Sequence, residues 1–213
     1  MPCKTQSGLQ VHHLRSTDPH FPVNLNRNLG SHAPRVINAA GNLATLGRNA
    51  LALFCSIKCP GSLVLQTYDL AQRWRDQGVT VISGFHSPME RECLNILLRS
   101  PHPIIICPAH RLPRRIETAL RRPLDEGRLL ILSAFPDSVK RATIETAHQR
   151  NRIVAAIADA VFVAYAEPNG KTEFFCREIL SWGKPLYTLP SGTNHNLTAL
   201  GAMPMSSGSN LYS

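Results

Sequence analysis

The 213-residue sequence predicts a doubly wound α/β fold: a mostly parallel sheet flanked by helices on both faces. Three observations predict it. Short segments such as LALFCS at 51–56 and LLILS at 129–133 are apolar throughout. Stretches with apolar residues at helical spacing lie between them. The alternation of the two patterns repeats along most of the chain. Strands that are apolar on both faces belong to a parallel sheet, because its crossover helices cover both sides.

The elements follow in order. Residues 1–33 are rich in Asn, His, Ser and Pro and hold no sustained apolar period, so a poorly organised tail is expected there. Its histidines, His12, His13, His20 and His32, are irregularly spaced and fit solvated side chains better than a metal tract. The folded domain is expected over 34–203. Residues 51–56 are its first apolar strand. Pro60 and Gly61 lead into a helix in which Leu63, Leu70, Ala71 and Trp74 recur at helical spacing, and Gly78 ends it. Residues 79–84 are the second strand. Pro88 opens a helix whose apolar residues are Met89, Cys93, Leu94, Leu97 and Leu98. Residues 103–108 are the third strand, the basic stretch 111–127 is helical in part, and 129–133 is the fourth strand. A helix at 142–159, a strand at 160–166, a helix at 172–182 and a strand at 185–190 complete the set. Residues 204–213 are small and polar and read as a frayed tail.

Composition narrows the function classes. No apolar run approaches the ~18 residues of a membrane helix, and the N-terminus has no apolar core of a secretory signal. A cytoplasmic protein with no membrane partner is expected. Lys and Arg number 23 against 14 Asp and Glu, a formal charge of +9 that favours polyanions. Between Arg91 and Arg152 stand 12 basic and 6 acidic residues, centred on Arg114–Arg115 and Arg121–Arg122, so a polyanion track is as good a reading there as solubility. The cysteines, Cys3, Cys55, Cys59, Cys93, Cys107 and Cys176, form no CxxC pair and fit free thiols. Cys55 and Cys59 make a C-x3-C spacing with no second ligand pair nearby, so no metal is expected.

Ligands of a doubly wound sheet bind outside the carboxyl ends of the strands, at the switch point. The segments that follow the strands therefore hold the candidates. In PNGKT at 168–172, Gly170 allows close backbone approach, the following helix supplies amides, and Lys171 and Thr172 add donors. The spacing is not that of a P-loop. Ser83 and Gly84 end a strand in the same manner. Arg150, Asn151 and Arg152 can clamp phosphates from a helix surface or form a solvated face. Aromatics for base stacking are few: Phe85, Phe135 and Tyr165. His86 is a lone loop histidine. No Ser–His–Asp order, HExxH or GxSxG motif is present, so a binding protein without a cofactor is expected rather than an enzyme.

Taken together, several blocks resemble a known family. They are Gly41–Asn42 with Leu43 and Leu46, the strand ending in Ser56, SGFHSPMERE at 83–92, QRNRIVAAIADAVFVAYA at 149–166, PNGKTEFFCRE at 168–178, and GKPLYTLP with NLTALGA up to 202. Their order is similar to the Rossmann-like domain of the DNA-processing protein DprA (Smf) family, within the SLOG nucleotide-binding superfamily. The family pattern runs GSR, SGxAxGID, RNRIIxGLS, SGSxxTA, GRxVxAVPG and NxLIxxGA. The resemblance spans about residues 35–202. It implies a basic pocket at the strand ends that binds single-stranded DNA, with a homodimer and a recombinase as further partners. By position, Ser56 matches the Ser of GSR, Ser83 and Gly84 the SG, Glu90 the Asp of GID, Arg150, Asn151 and Arg152 the RNR, and Gly170 and Thr172 the SGSxxTA loop. Cys55 stands where the family has Gly, and Ile57 where it has Arg, with Lys58 beside it. Neither the family's N-terminal helical module nor its C-terminal winged helix is expected within these 213 residues.

The matched positions and the strand-end loops together give a candidate ligand set of Ser56, Lys58, Gly61, Ser83, Gly84, Phe85, Arg150, Asn151, Arg152, Gly170, Lys171, Thr172 and Glu173. Lysine and arginine hold phosphates, and Phe85 offers a stacking face. PNGKTE is also similar to the PGGxGTxxE motif of the lysine-decarboxylase-like SLOG enzymes. That similarity implies a nucleotide sensor or nucleotide phosphoribohydrolase using Glu173, which here directly follows Thr172. A third reading keeps the fold without a ligand.

Overall fold

Within each buried strand, successive side chains point into two separate cores, one on either face of the sheet. The computed structural model describes residues 9–206. In chain order its elements are β1 (Val11–Arg15), α1 (Val23–Leu29), β2 (Val36–Gly41), β3 (Ala50–Phe54), α2 (Gly61–Gln77), β4 (Thr80–Ser83), α3 (Pro88–Leu97) and β5 (Ile104–Ile106). They continue with α4 (Thr118–Asp125), β6 (Leu129–Ser133), α5 (Ile144–Ile157), β7 (Ala160–Val163), α6 (Lys171–Ser181), β8 (Leu186–Thr188), α7 (His195–Leu200) and β9 (Met203–Pro204). In β3, Ala50, Ala52 and Phe54 face one core while Leu51 and Leu53 face the other. The first core is closed by Leu25 and Leu29 of α1 and by α5, α6 and α7. The second is closed by α2 and α3, where Trp74 meets Phe162 edge to face at 5.1 Å.

The sheet order is β1-β2-β6-β5-β4-β3-β7-β8-β9. Every neighbouring pair from β6 to β9 is parallel, whereas β2 is antiparallel to both β1 and β6. The chain leaves β3 toward β4 on one side and reaches β7 on the other. The switch point of the doubly wound sheet therefore falls between β3 and β7. Helix limits follow local chemistry. Gly78 ends α2 at φ +73°, a left-handed cap that glycine adopts without steric cost. Ser87 and Glu90 close a reciprocal capping box on α3, with Pro88 in its first turn.

The expected N-terminal tail is corrected over its described part. β1 pairs along its length with β2, Leu14 is buried, and α1 packs on α5, where the Asn28 side-chain amide donates to the Ala156 carbonyl at 3.1 Å. At the other end, residues 204–206 are not frayed: β9 pairs with β8, the Met205 amide donates to the Thr188 carbonyl, and Met205 is buried. Cys3 and the remaining tail readings at 1–8 and 207–213 lie outside the described residues. Among the described residues no helix is long and apolar enough to cross a membrane.

Candidate functional site

The loops that leave β3, β4, β5 and β7 and the first turns of α5 surround a cleft of about 1850 Å³ at the carboxyl edge of the sheet. It lies over the switch point. Ser56 joins the two sides of that point. Its amide donates to the Tyr165 carbonyl at 2.9 Å, its hydroxyl donates to Thr172 Oγ1 at 3.0 Å, and it accepts the Glu167 amide at 3.2 Å. The β3 loop and the 167–172 loop are thus one hydrogen-bonded unit. Asn169 sits at φ +57°, and Gly170 turns tightly enough that its amide reaches the Glu167 carbonyl at 2.9 Å before Lys171 starts α6.

Beneath the cleft, Glu90 is buried at 5 % exposure. Its carboxylate accepts the amides of Cys55 at 3.0 Å, His86 at 2.8 Å and Ser87 at 3.4 Å. One side chain thereby fixes the end of β3 to the loop after β4. Burial pushes the carboxyl above its ordinary range, against the His86 hydrogen bond and the charge of Arg150, which pull it down. Arg150 is likewise buried, at 6 % exposure. Its Nη1 donates to the Cys107 carbonyl at 2.9 Å and its Nε to Asn151 Oδ1 at 2.8 Å. Burial draws the guanidinium down, and Glu90 opposes that shift. A Cβ on Gly84 would stand 1.1 Å from Arg150 Nη1, so this position must be glycine for Arg150 to lie across it.

The thirteen candidates therefore divide. Ser56, Lys58, Gly84, Phe85, Arg150, Asn151, Gly170, Lys171 and Thr172 line the cleft. Lys58 and Lys171 are exposed on it. Gly61 starts α2 outside the lining. Ser83 is fully buried, its hydroxyl donating to the Leu53 carbonyl at 2.8 Å. The amides of the Ser83–Gly84 turn expected for an anion are in good part occupied: Phe85 donates to Ser83 Oγ, and His86 and Ser87 donate to Glu90. Phe85 is held at φ +46° with its ring buried at 5 % exposure, so it is core and not a stacking platform; Phe135 is buried too. Arg152 points away and pairs with Glu178 at 2.6 Å. Glu173 is buried and engaged: it accepts the Asn169 amide at 3.1 Å, Asn196 Nδ2 at 2.7 Å and Arg177 Nη2 at 2.8 Å. The Asn196 and Arg177 bonds hold its carboxyl below the usual range. A carboxylate so occupied is no free acid or base, and the hydrolase reading loses its catalytic group.

The structure adds cleft residues from outside that set of thirteen. Ile57 and Ile144 line the cleft at 74 % and 75 % exposure. His86, Arg91, His110 and His148 join the lining. So do Glu92, Glu117, Glu145 and Glu167, which with Glu90 balance Lys58, Arg91, Arg150 and Lys171. The cleft itself is thus not the basic pocket expected. The positive excess stands on two adjoining loops, where Arg114, Arg115, Lys140 and Arg141 are exposed and the exposed Asp137 lies 3.8 Å from Arg114. The Arg111 amide donates to the Val139 carbonyl at 2.9 Å and ties those loops together. Among the described residues no group of His, Cys, Asp and Glu is placed to hold a metal.

The strand order and the cleft over the switch point define a doubly wound α/β domain with a candidate ligand cleft at the carboxyl edge of its sheet, edged by exposed lysines and bordered by a basic two-loop patch. The chain belongs to the DNA recombination-mediator protein A (DprA) family, whose model matches residues 12–212. The fold is similar to that of DNA processing protein A from Streptococcus pneumoniae, with a TM-score of 0.78 and 21 % identity over 93 % of this chain and 72 % of that one. DNA processing protein A from Helicobacter pylori, described for its single-stranded DNA binding mode, gives 0.74 and 19 % over 92 % and 91 %. A molybdenum cofactor binding protein from Rippkaea orientalis gives 0.53 and 12 % over 75 % and 91 %. No curated protein sequence matches the chain.

Proposed function

We propose that this DNA-processing family member binds single-stranded DNA across the switch-point cleft. The observation that carries the reading is the company of exposed cations and exposed apolar side chains there: Lys58 beside Ile57 on one loop, Lys171 on the α6 start, and Ile144 on α5. Phosphates meet the lysines and the first-turn amides of α6. Unstacked bases meet Ile57 and Ile144, contacts that a duplex with its bases turned inward cannot make. The strand then runs onto the basic patch of Arg114, Arg115, Lys140 and Arg141. Arg150 and Glu90 shape the floor and are not the main phosphate contacts. That the Helicobacter pylori protein of similar fold binds single-stranded DNA supports the choice of ligand. A second copy of the chain and a recombinase complete it as partners, tested by light scattering and by co-elution with a purified recombinase.

The decisive experiment is fluorescence anisotropy of a labelled oligo-dT and of a matched duplex across a salt series. The expected result is preference for the single strand, with affinity falling steeply as salt rises. Equal or stronger binding of the duplex, or no binding at low salt, overturns the reading.

A further inference from the structure

The end of β1 and the start of β2 stand on the same carboxyl edge of the sheet as the cleft. β2 runs antiparallel to β6 with Asn38 opposite Ser133, and β1 runs antiparallel to β2 with Arg15 opposite Val36. Arg35, Val36 and Arg15 therefore lie beside the loop that leaves β6. Hydrogen bonds make this neighbourhood continuous. Asn38 Nδ2 donates to the Phe135 carbonyl at 3.4 Å, and the His13 ring donates from Nδ1 to Asn38 Oδ1 at 2.7 Å. The loop after β6 is tied in turn to the loop after β5 through the Arg111 amide and the Val139 carbonyl. One face of the β1–β2 pair is open. Leu14, Ile37 and Ala39 turn into the first core, so strand alternation puts Val11, His13 and Arg15, with Val36 and Asn38, on the other side. Val11, His13, Arg15 and Val36 are all exposed there.

An antiparallel sheet tolerates a wet face, so openness alone assigns nothing. Charge and position do. Arg15 and Arg35 are exposed, and no described carboxylate pairs with either. The nearby acid is Asp18, in the turn after β1, which accepts the His20 amide at 2.9 Å. Sheet order sets exposed cations in a row: Lys171 after β7, Lys58 after β3, Arg115 after β5, Arg141 after β6, Arg35 before β2 and Arg15 at the end of β1. With neighbouring strands about 4.8 Å apart, the strand ends from β3 to β1 span about 24 Å. We infer that the open end of β1 and β2 is a second nucleic-acid subsite, which holds a single strand that runs on from the cleft across the two-loop patch. Arg15 and Arg35 meet its phosphates, and the exposed Val36 gives its bases an apolar contact. The inference rests on the proposed function and adds a longer footprint to it: a strand too short to leave the cleft never reaches β1.

The test measures anisotropy with the full chain and two labelled oligo-dT lengths, about 5 and about 20 nucleotides, which bracket common single-strand site sizes. The double variant Arg15→Ala/Arg35→Ala is set against Arg27→Ala/Arg73→Ala, which removes the same charge from exposed arginines of α1 and α2. The wild type should bind the long oligomer more tightly than the short one. Arg15→Ala/Arg35→Ala should leave the short oligomer unaffected, weaken the long one several-fold, and lower its salt slope by about 1.4, the share of two phosphates. Its urea midpoint should stay that of the wild type, and Arg15→Lys/Arg35→Lys should keep most of the affinity. The control pair should bind both lengths as the wild type does. A double variant that holds the long oligomer as firmly as the wild type, or loses both lengths alike, overturns the subsite while binding in the cleft stands. An equal loss in the control pair reduces the effect to net charge and overturns it too. A wild-type protein that binds neither length fails the proposed function, and the subsite falls with it.

Discussion

Arg150 and Lys171 are both cations that line the same cleft, and their surroundings divide them. Arg150 is buried, lies across Gly84 and gives its donors to the Cys107 carbonyl and Asn151. Lys171 is exposed at the start of α6. The carboxylates divide the same way: Glu90 binds three backbone amides below the floor, while Glu145 stays exposed on the wall. A charge taken out of water must be matched by partners in the protein, and those partners then occupy it. Buried charges here hold the loops in place, while exposed ones such as Lys58 and Lys171 face the cleft.

The largest effect should follow from removing a floor charge. Arg150→Ala leaves the Cys107 carbonyl without its donor and Glu90 without its nearby positive charge. Breaking such a buried arrangement costs about 3–5 kcal/mol, read as a lower urea midpoint at unchanged slope. A loss below about 1 kcal/mol would put Arg150 among the rim cations and erase the distinction.

Glu90→Gln sharpens the comparison through pH. A single amide oxygen cannot replace two carboxylate oxygens facing three N–H groups, and each donor left unmatched costs about 1–3 kcal/mol. Glu90's folded pKa is raised, so its protonated form is the one that folding favours. That contribution is fully present below about pH 4.3, the ordinary glutamate value, and is lost as pH rises through the folded pKa. Wild-type stability measured against Glu90→Gln should therefore shrink from acid toward neutral pH. A difference that grows with pH would contradict the assigned direction.

On the basic patch the effects should move from stability to binding. Replacing Arg114, Arg115, Lys140 and Arg141 together by Ala removes exposed groups, so unfolding should shift by no more than about 0.5 kcal/mol for each change. The salt dependence of oligo-dT binding should flatten by about 0.7 for every phosphate that the protein no longer neutralises. An unaltered slope would confine the DNA to the cleft.

The same division explains what could be read from the sequence. β6 is buried at all five positions and stands at 129–133 as expected, because an uninterrupted apolar run has few other places to go. Helix α2 ends at Gly78 as expected, because only a left-handed cap closes it. β1 buries Leu14 alone, and α1 buries only Leu25 and Leu29, so neither leaves a periodic signal. Their order comes from pairing with β2 and packing on α5, partners distant in sequence. The cleft's position followed from the switch-point rule. What the sequence could not reveal was depth. Phe85, Arg150 and Glu173 stand in the right segments, yet tertiary packing buries all three, while the exposure of Ile57 and Ile144 leaves no pattern in the sequence.

Lys171→Ala should give the smallest change and the finest test of the comparison. The side chain is exposed at the first position of α6, where a cation faces the positive end of the helix dipole. Its removal should therefore leave stability unchanged or raise it by about 0.3–1 kcal/mol. Affinity for oligo-dT should fall, and the salt slope should drop by about 0.7, the share of one phosphate on a single strand. Lys58→Ala should give a similar drop from the opposite loop. If the two meet different phosphates of one bound strand, the double variant should lose about 1.4, the sum of the single changes. A double variant no worse than either single one would mean that both lysines serve one phosphate, and that the strand crosses the cleft at a single point above Ser56 and Thr172.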